Sequence, residues 1–323
     1  CSLTEMNQLK QYKIAVISKS FSKNPILKEN LSTIYPNSVF NHNEDKFSEE
    51  NVCNFIDDAE GVIVGSETIG ESFFNSSKKL RIISKYGVGL DNIDIKKCEE
   101  HNIVVKHTPG TNALSVAELT LGFMLTMCHN AYPASLELKK NKWNKSGGSL
   151  LSGKTIGIIG IGNVGKNLIA LLKSFSCKIL VNDILNQDHY YQENNLTKAT
   201  KEDIFKFSDI ISFHIPLTKK TYHLISEHSL QKMKKKPLII NTSRGEVIHE
   251  GDLKEALHQQ TISGAALDVF AQEPPDDQEL LKHPHVVCTP HIGGNSNEAV
   301  INMGQAAITQ LNEFFSQEKN QTL

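Results

Sequence analysis

Apolar and polar positions follow two rhythms along this chain. Short runs rich in Ile and Val recur at 13–18 (KIAVIS), 61–65 (GVIVG), 81–84 (RIIS) and 103–105 (IVV). They return at 155–160 (TIGIIG), 178–183 (KILVND), 209–215 (DIISFHI), 237–243 (PLIINTS), 264–270 (GAALDVF) and 286–291 (VVCTPH). Unbroken β-branched runs of this kind suit parallel strands covered on both faces. Longer stretches with helical spacing lie between them. Strands alternating with helices predict right-handed βαβ crossovers and doubly wound sheets, an α/β fold. The runs form groups of four and six. Between the groups a long helix is predicted from Ala113 to about Asn130, with Leu114, Ala117, Leu121, Met124, Leu125 and Cys128 at helical spacing. A polar, lysine-rich stretch follows at 139–149. A last helix is predicted from about Asn297 to Phe315, with polar residues 316–323 expected to fray.

Length and composition narrow the picture. A chain of 323 residues suggests two domains. With 34 basic against 36 acidic residues, no charge excess argues for nucleic acid or an anionic membrane. No apolar run reaches the roughly 18 residues of a membrane span, and the first residues lack the apolar stretch of a signal peptide. The six cysteines are widely spaced with no C-x-x-C pair. That spacing argues against a zinc site or a disulfide framework, so no metal is expected and a reducing, cytoplasmic setting is.

The strongest local motif spans residues 155–172, TIGIIGIGNVGKNLIALL. It places G-x-G-x-x-G at Gly160, Gly162 and Gly165, after a strand-like run and opening a helix-like one. Gly160 permits a tight turn, and Gly162 lets a pyrophosphate approach the backbone at the helix N-terminus, with Asn163 and Val164 in the first turn. Gly165 allows close helix–strand packing. The next strand ends at Asp183, 18 residues beyond Gly165, placed to accept from an adenosine ribose. A carboxylate there repels a 2′-phosphate, so NAD is expected rather than NADP.

Doubly wound sheets bind ligands beyond the C-terminal ends of their strands. In the second group those ends carry His214 with Pro216, Asn241 to Arg244, Asp268 to Glu273, and His291 with Gly293–Gly294. An Arg, an acid and a His in one crevice suit a 2-hydroxy acid and 2-oxo acid pair. Arg holds a carboxylate with a forked pair of hydrogen bonds. His passes a proton to or from the alcohol oxygen, and a neighbouring carboxylate favours its charged form. Singly, each residue also reads as a surface ion pair or a loop residue; the combination carries the case.

That combination resembles the D-isomer-specific 2-hydroxyacid dehydrogenase family. The carrying motifs are RGEVI (244–248), ALDVFAQEPP (266–275), TPHIGG (289–294), YGVGLDNID (86–94), TPGTNALSVAELTLGFML (108–125), LSGKTIGIIGIGNVG (151–165) and HIPLTKKTYHLI (214–225). The resemblance implies that Arg244 binds and polarises the oxo acid, that His291 is the acid/base and that Glu273 pairs with it. It places Asp268 by the nicotinamide carboxamide, His214, Pro216 and Thr242 at the coenzyme, and the amides of Gly87, Val88 and Gly89 on the substrate carboxylate. It also implies a Rossmann coenzyme domain (106–291) inserted into a flavodoxin-like substrate domain (1–105 with 292–323), an interdomain active site, and a homodimer built on the helix from Ala113. The nearest flavour is that of short phosphoglycerate dehydrogenases, those expected to lack a C-terminal regulatory domain. Hydroxypyruvate or glyoxylate reductases are the alternative, and an NAD-sensing corepressor-like protein a more distant one. A formate dehydrogenase is disfavoured because Glu273 stands where such enzymes carry Gln.

Two departures bear on the substrate. Residues 65–74 hold no cation for a phosphate; the nearest are Lys78, Lys79, Arg81 and Lys85, with Lys85 the candidate ligand beside the Gly87 loop. His107 stands where many relatives carry Asn.

Overall fold

A computed structural model describes residues 9–42, 49–76 and 78–320. The chain divides into two compact units, Cys1–Asn112 with Asn295–Leu323, and Ala113–Gly294.

Among its described residues the first unit holds five strands: β1 (Ile14–Val16), β2 (Val39–Phe40), β3 (Gly61–Val64), β4 (Ile82–Lys85) and β5 (Val104–Lys106). All pair in parallel in the order β2-β1-β3-β4-β5, the flavodoxin-like arrangement. β1, β3 and β4 are buried along their whole length, which is why their sequences read as continuous apolar runs. One face is covered by Leu27, Leu31, Tyr35, Ile308, Leu311 and Phe315. The other packs on Ile56, Phe73, Phe74 and Cys98.

The second unit holds seven strands: β6 (Thr155–Ile159), β7 (Lys178–Asn182), β8 (Thr197–Lys198), β9 (Ile210–Phe213), β10 (Leu238–Asn241), β11 (Gly264–Leu267) and β12 (Val286–Cys288). They too are all parallel, ordered β12-β11-β10-β9-β6-β7-β8. With β6 first, this is the Rossmann order 3-2-1-4-5-6 extended by one strand. The order reverses beside β6, so a crevice opens at its C-terminal end. Helix α1 (Ala113–Cys128) and helix α2 (Asn163–Leu172) pack on one face through Ala117, Met124, Leu168 and Leu172.

The sheets exceed the four and six strands expected by β2 and β8. Each has only two residues, half-buried or exposed at a sheet edge, too short for a periodicity to register. Helix α3 (Asn297–Asn320) runs five residues past the predicted Phe315. Polar 316–320 therefore continue the helix, and 321–323 lie outside the described residues. No described helix is long and apolar enough to cross a membrane.

Candidate active site

Six strands of the second sheet deliver the polar residues to one edge. β6 runs into Gly160, β7 into Asp183, β9 into His214, β10 into Thr242–Arg244, β11 into Asp268 and β12 into His291.

His291 and Glu273 form the centre. His291 Nδ1 lies 2.8 Å from Glu273 Oε2. A carboxylate only accepts, so Nδ1 carries the donated hydrogen. The hydrogen bond to Glu273 is the main cause that raises the His291 pKa above its ordinary range; partial burial opposes it, and the charges of Glu273 and Asp268 add to it. Partial burial pushes the Glu273 carboxyl upward, but the His291 hydrogen bond, the His291 and Arg244 charges and the Phe270 amide hold it below the usual range. Arg244 thus acts electrostatically on both members of the pair.

The support for each residue is local. Glu273 Oε1 accepts from the Phe270 amide at 3.1 Å, which folds its loop back on β11. Asn241, buried at the end of β10, accepts from the Ser243 amide and hydroxyl and donates to Arg244 O at 2.8 Å. The Arg244 Nη1 group donates to Ser243 O at 2.7 Å. Gly245 lets the two loops meet: a Cβ there would fall 1.9 Å from the Phe270 carbonyl carbon. The His291 backbone is left-handed, φ +53°, strained for a residue with a side chain. Asp268 holds it there. Its Oδ1 accepts from Thr289 Oγ1 (2.6 Å) and the Ile292 amide (2.8 Å), its Oδ2 from the Gly293 amide (2.8 Å), and its carbonyl from the His291 amide. Asp268 is therefore first a brace for the His291 turn. With three hydrogen bonds on a 1% exposed carboxylate, about one acceptor position is left for a carboxamide.

The glycine loop fits a dinucleotide. Gly160 has φ +97° and its amide donates to Asn182 O, tying the turn to β7. A Cβ on Gly160 would press to 2.2 Å on His214 O, and one on Gly165 to 2.3 Å on Gly160 O. A Cβ on Gly162 would meet nothing within 4 Å, although Gly162 caps α2 without a side-chain hydrogen bond. Open space before first-turn N–H groups that lack intrahelical acceptors, those of Asn163, Val164 and Gly165 among them, is a place for a phosphate. Asp183 accepts from the Ile161 amide (2.6 Å) and the Leu185 amide (2.8 Å), so it joins the glycine turn to the loop after β7. Its neighbour Ile184 is 95% exposed and supplies no cation.

Of the other expected coenzyme residues, His214 and Thr242 lie deeper than Pro216. His214 bonds Ser212 through Nε2, while its buried Nδ1 has no partner among the described residues. Burial drives its pKa down to about 4, so it is neutral. Thr242 is buried with its hydroxyl 3.0 Å from that of Thr120. Pro216 is exposed in the loop after β9, where its carbonyl accepts from Thr221.

In the first unit, Gly87, Val88 and Gly89 form the loop after β4, with Gly87 at φ +128°. His107, exposed at the end of β5, places Nδ1 3.1 Å from Val88 O. Lys85, the expected phosphate ligand, faces inward. It is 6% exposed, and its ammonium donates to Gly65 O (2.5 Å) and Asn92 Oδ1 (2.6 Å), so it lies inside the fold, bound to its own unit. Lys78 and Lys79 are exposed, and Arg81 pairs with Glu60. Sequence reasoning placed Asn241 at its strand end without a role and gave none to Gly245 or Asn92; adjacency to Arg244 and to the YGVG loop was the available signal. Among the described residues no group of three or more His, Cys, Asp or Glu is arranged to hold a metal.

Residues 121–293 match the family described as "D-isomer specific 2-hydroxyacid dehydrogenase, NAD binding domain". The chain is 36% identical over 290 residues to a hydroxypyruvate reductase of Thermotoga maritima, covering 87% of this chain and 92% of that one. It is 35% identical over 258 residues to a D-3-phosphoglycerate dehydrogenase of Bacillus subtilis, covering 79% of this chain but 49% of that one. The chain thus spans about half the length of that relative. A solved NADPH-dependent glyoxylate/hydroxypyruvate reductase from Sinorhizobium meliloti, in complex with NADP and malonate, aligns with a TM-score of 0.83 at 25% identity, covering 94% of each chain. The chain belongs to the D-isomer-specific 2-hydroxyacid dehydrogenase family.

Proposed function

We propose that this protein interconverts a D-2-hydroxy acid and its 2-oxo acid, using NAD. The observation that carries the reading is the His291–Glu273 pair at 2.8 Å with the Arg244 charge acting on both. Bound NADH supplies, and NAD accepts, the hydride at C2 of the acid. The protein's residues supply the rest. The Arg244 guanidinium holds carboxylate and carbonyl oxygens in a fork and stabilises the charge that develops on O2. His291 Nε2 gives O2 its proton in reduction and removes it in oxidation. Glu273 fixes the ring and favours the imidazolium. Gly162 and the first turn of α2 hold the pyrophosphate, and Asp183 the adenosine ribose. The amides of Gly87, Val88 and Gly89 take the substrate carboxylate.

The substrate follows from charge. The loop after β3 carries Glu67 and no cation, and Lys85 is bound within the fold. An unphosphorylated acid, hydroxypyruvate or glyoxylate, therefore stands ahead of 3-phosphohydroxypyruvate. A homodimer is part of the reading, supported by exposed Leu114, Tyr132, Leu138, Trp143 and Leu150 on α1 and the segment after it. A cytoplasmic setting suits the free thiols of Cys98, Cys128, Cys177 and Cys288; Cys1 and the Cys53 side chain lie outside the described residues.

The test is an initial-rate screen with NADH and with NADPH against hydroxypyruvate, glyoxylate, pyruvate, 2-oxoglutarate and 3-phosphohydroxypyruvate. The expected result is turnover with NADH, highest kcat/KM on an unphosphorylated acid, and little with NADPH. A preference for the phosphorylated acid would overturn the substrate; equal use of NADPH would overturn the role of Asp183.

A further inference from the structure

Lys85 ends β4, and Gly87 follows two residues later. Its ammonium is buried and reaches across to the loop after β3, where it donates to Gly65 O. It also donates to Asn92 Oδ1. Asn92 completes a knot: its amide donates to the same Gly65 O (3.1 Å) and to Glu67 O (2.5 Å). The main chain adds two more ties between these loops, Ile69 N to Asn92 O and Tyr86 N to Val64 O. Glu67 closes the β3 side by accepting from the Gly65 amide at 2.7 Å.

Burying an ammonium is costly, and an apolar side chain of similar length would fill the space without that cost. What the charge and its donors provide is a fixed geometry between two loops at the C-terminal edge of a doubly wound sheet, the edge that faces ligands. The Lys85 stem also runs beneath Gly87: a Cβ on Gly87 would lie 3.5 Å from Lys85 Cε. Gly87, at φ +128°, has a conformation that its own side-chain chemistry does not hold. His107 bonds Val88 O from the other side.

We infer that Lys85 and Asn92 are positioning residues for the substrate carboxylate, which hold the Gly87–Val88–Gly89 amides in a preset geometry against the loop after β3. The inference rests on the reading that those amides take the carboxylate. Neither residue touches the substrate, so their loss weakens capture of any 2-oxo acid, with or without a phosphate.

The experiment is steady-state kinetics of the full chain with NADH and two acids, hydroxypyruvate and 3-phosphohydroxypyruvate. The variants are Asn92→Ala, Lys85→Met and the two combined. In Asn92→Ala, KM for both acids should rise about tenfold or more, since displaced binding groups carry penalties of that order. Its kcat and its KM for NADH should stay within about twofold of wild type, a split that general loosening of the fold does not produce. Lys85→Met should do the same, and the double variant should be no worse than the worse single one, as members of one network are not additive. If Lys85→Met does not fold, Asn92→Ala carries the test alone. An unchanged KM in Asn92→Ala, or a fall in kcat without a change in KM, overturns the inference. A loss confined to the phosphorylated acid overturns it as well and makes Lys85 a phosphate ligand. A wild type that reduces no 2-oxo acid at all removes the dehydrogenase reading itself, and this inference with it.

Discussion

Glu273 and His291 each shift the other's proton affinity in the direction that keeps the pair ionised. Under the proposed function, reduction needs the proton on His291, so activity should fall as pH rises through the histidine's pKa. Because Glu273 raises that pKa, Glu273→Gln should move the falling limb of the reductive pH–kcat/KM profile to lower pH. A profile that superimposes on wild type, or moves upward, shows that the hydrogen bond does not tune the acid. Arg244 makes a second residue-scale prediction. Removing a charge-assisted contact aimed at developing charge costs roughly 3 kcal/mol, about a hundredfold in rate. Arg244→Ala should therefore lose about that factor in kcat while NADH binding, followed by fluorescence, stays near wild type. Near-normal turnover would refute the role. These residues were legible in the sequence because they stand at strand ends in family-specific motifs. Their braces were not. Asn241 and Asp268 act through hydrogen bonds to backbone two to 25 residues away, and spacing alone does not encode that. The burial of Lys85 was not legible either: a lysine before a glycine loop suggests an exposed cation, whereas the acceptors that bury it lie 20 and seven residues away.

At the scale of elements, the turn from β6 into α2 separates two duties of glycine. Gly160 serves the fold: φ is +97° and an added Cβ would strike His214 O. Gly160→Ala should cost about 2–5 kcal/mol, the sum of backbone strain and forced displacement. Gly162 is proposed to serve the ligand: its φ is ordinary at −84° and the added Cβ meets open space. Gly162→Ala should leave the urea midpoint nearly unchanged, within about 0.5 kcal/mol, and weaken NADH binding about tenfold or more. Equal stability losses in the two variants, or unaltered NADH affinity in Gly162→Ala, would contradict this division. Nine of the ten longer strands were visible beforehand because burial on both faces writes itself as unbroken apolar runs; β5 also reads as an apolar run although its residues are exposed or half-buried. β2 and β8 were not, since two residues paired at an edge need no apolar pattern.

For the molecule as a whole, each sheet presents its polar loops at its C-terminal edge, as parallel βαβ winding requires. The proposed chemistry is concentrated in the second unit, where the proposed acid, its brace and the arginine arise from three adjacent strands, β10, β11 and β12. The proposed carboxylate loop belongs to the first. The central claim is that His291 moves the proton that accompanies hydride transfer. It is tested most directly by the initial rate of NADH oxidation with hydroxypyruvate in His291→Gln beside wild type, with NADH affinity measured on the same samples. Loss of a positioned general acid should lower kcat by about a hundredfold or more while NADH affinity is retained. A folded His291→Gln variant that binds NADH normally and turns over near the wild-type rate would contradict the account.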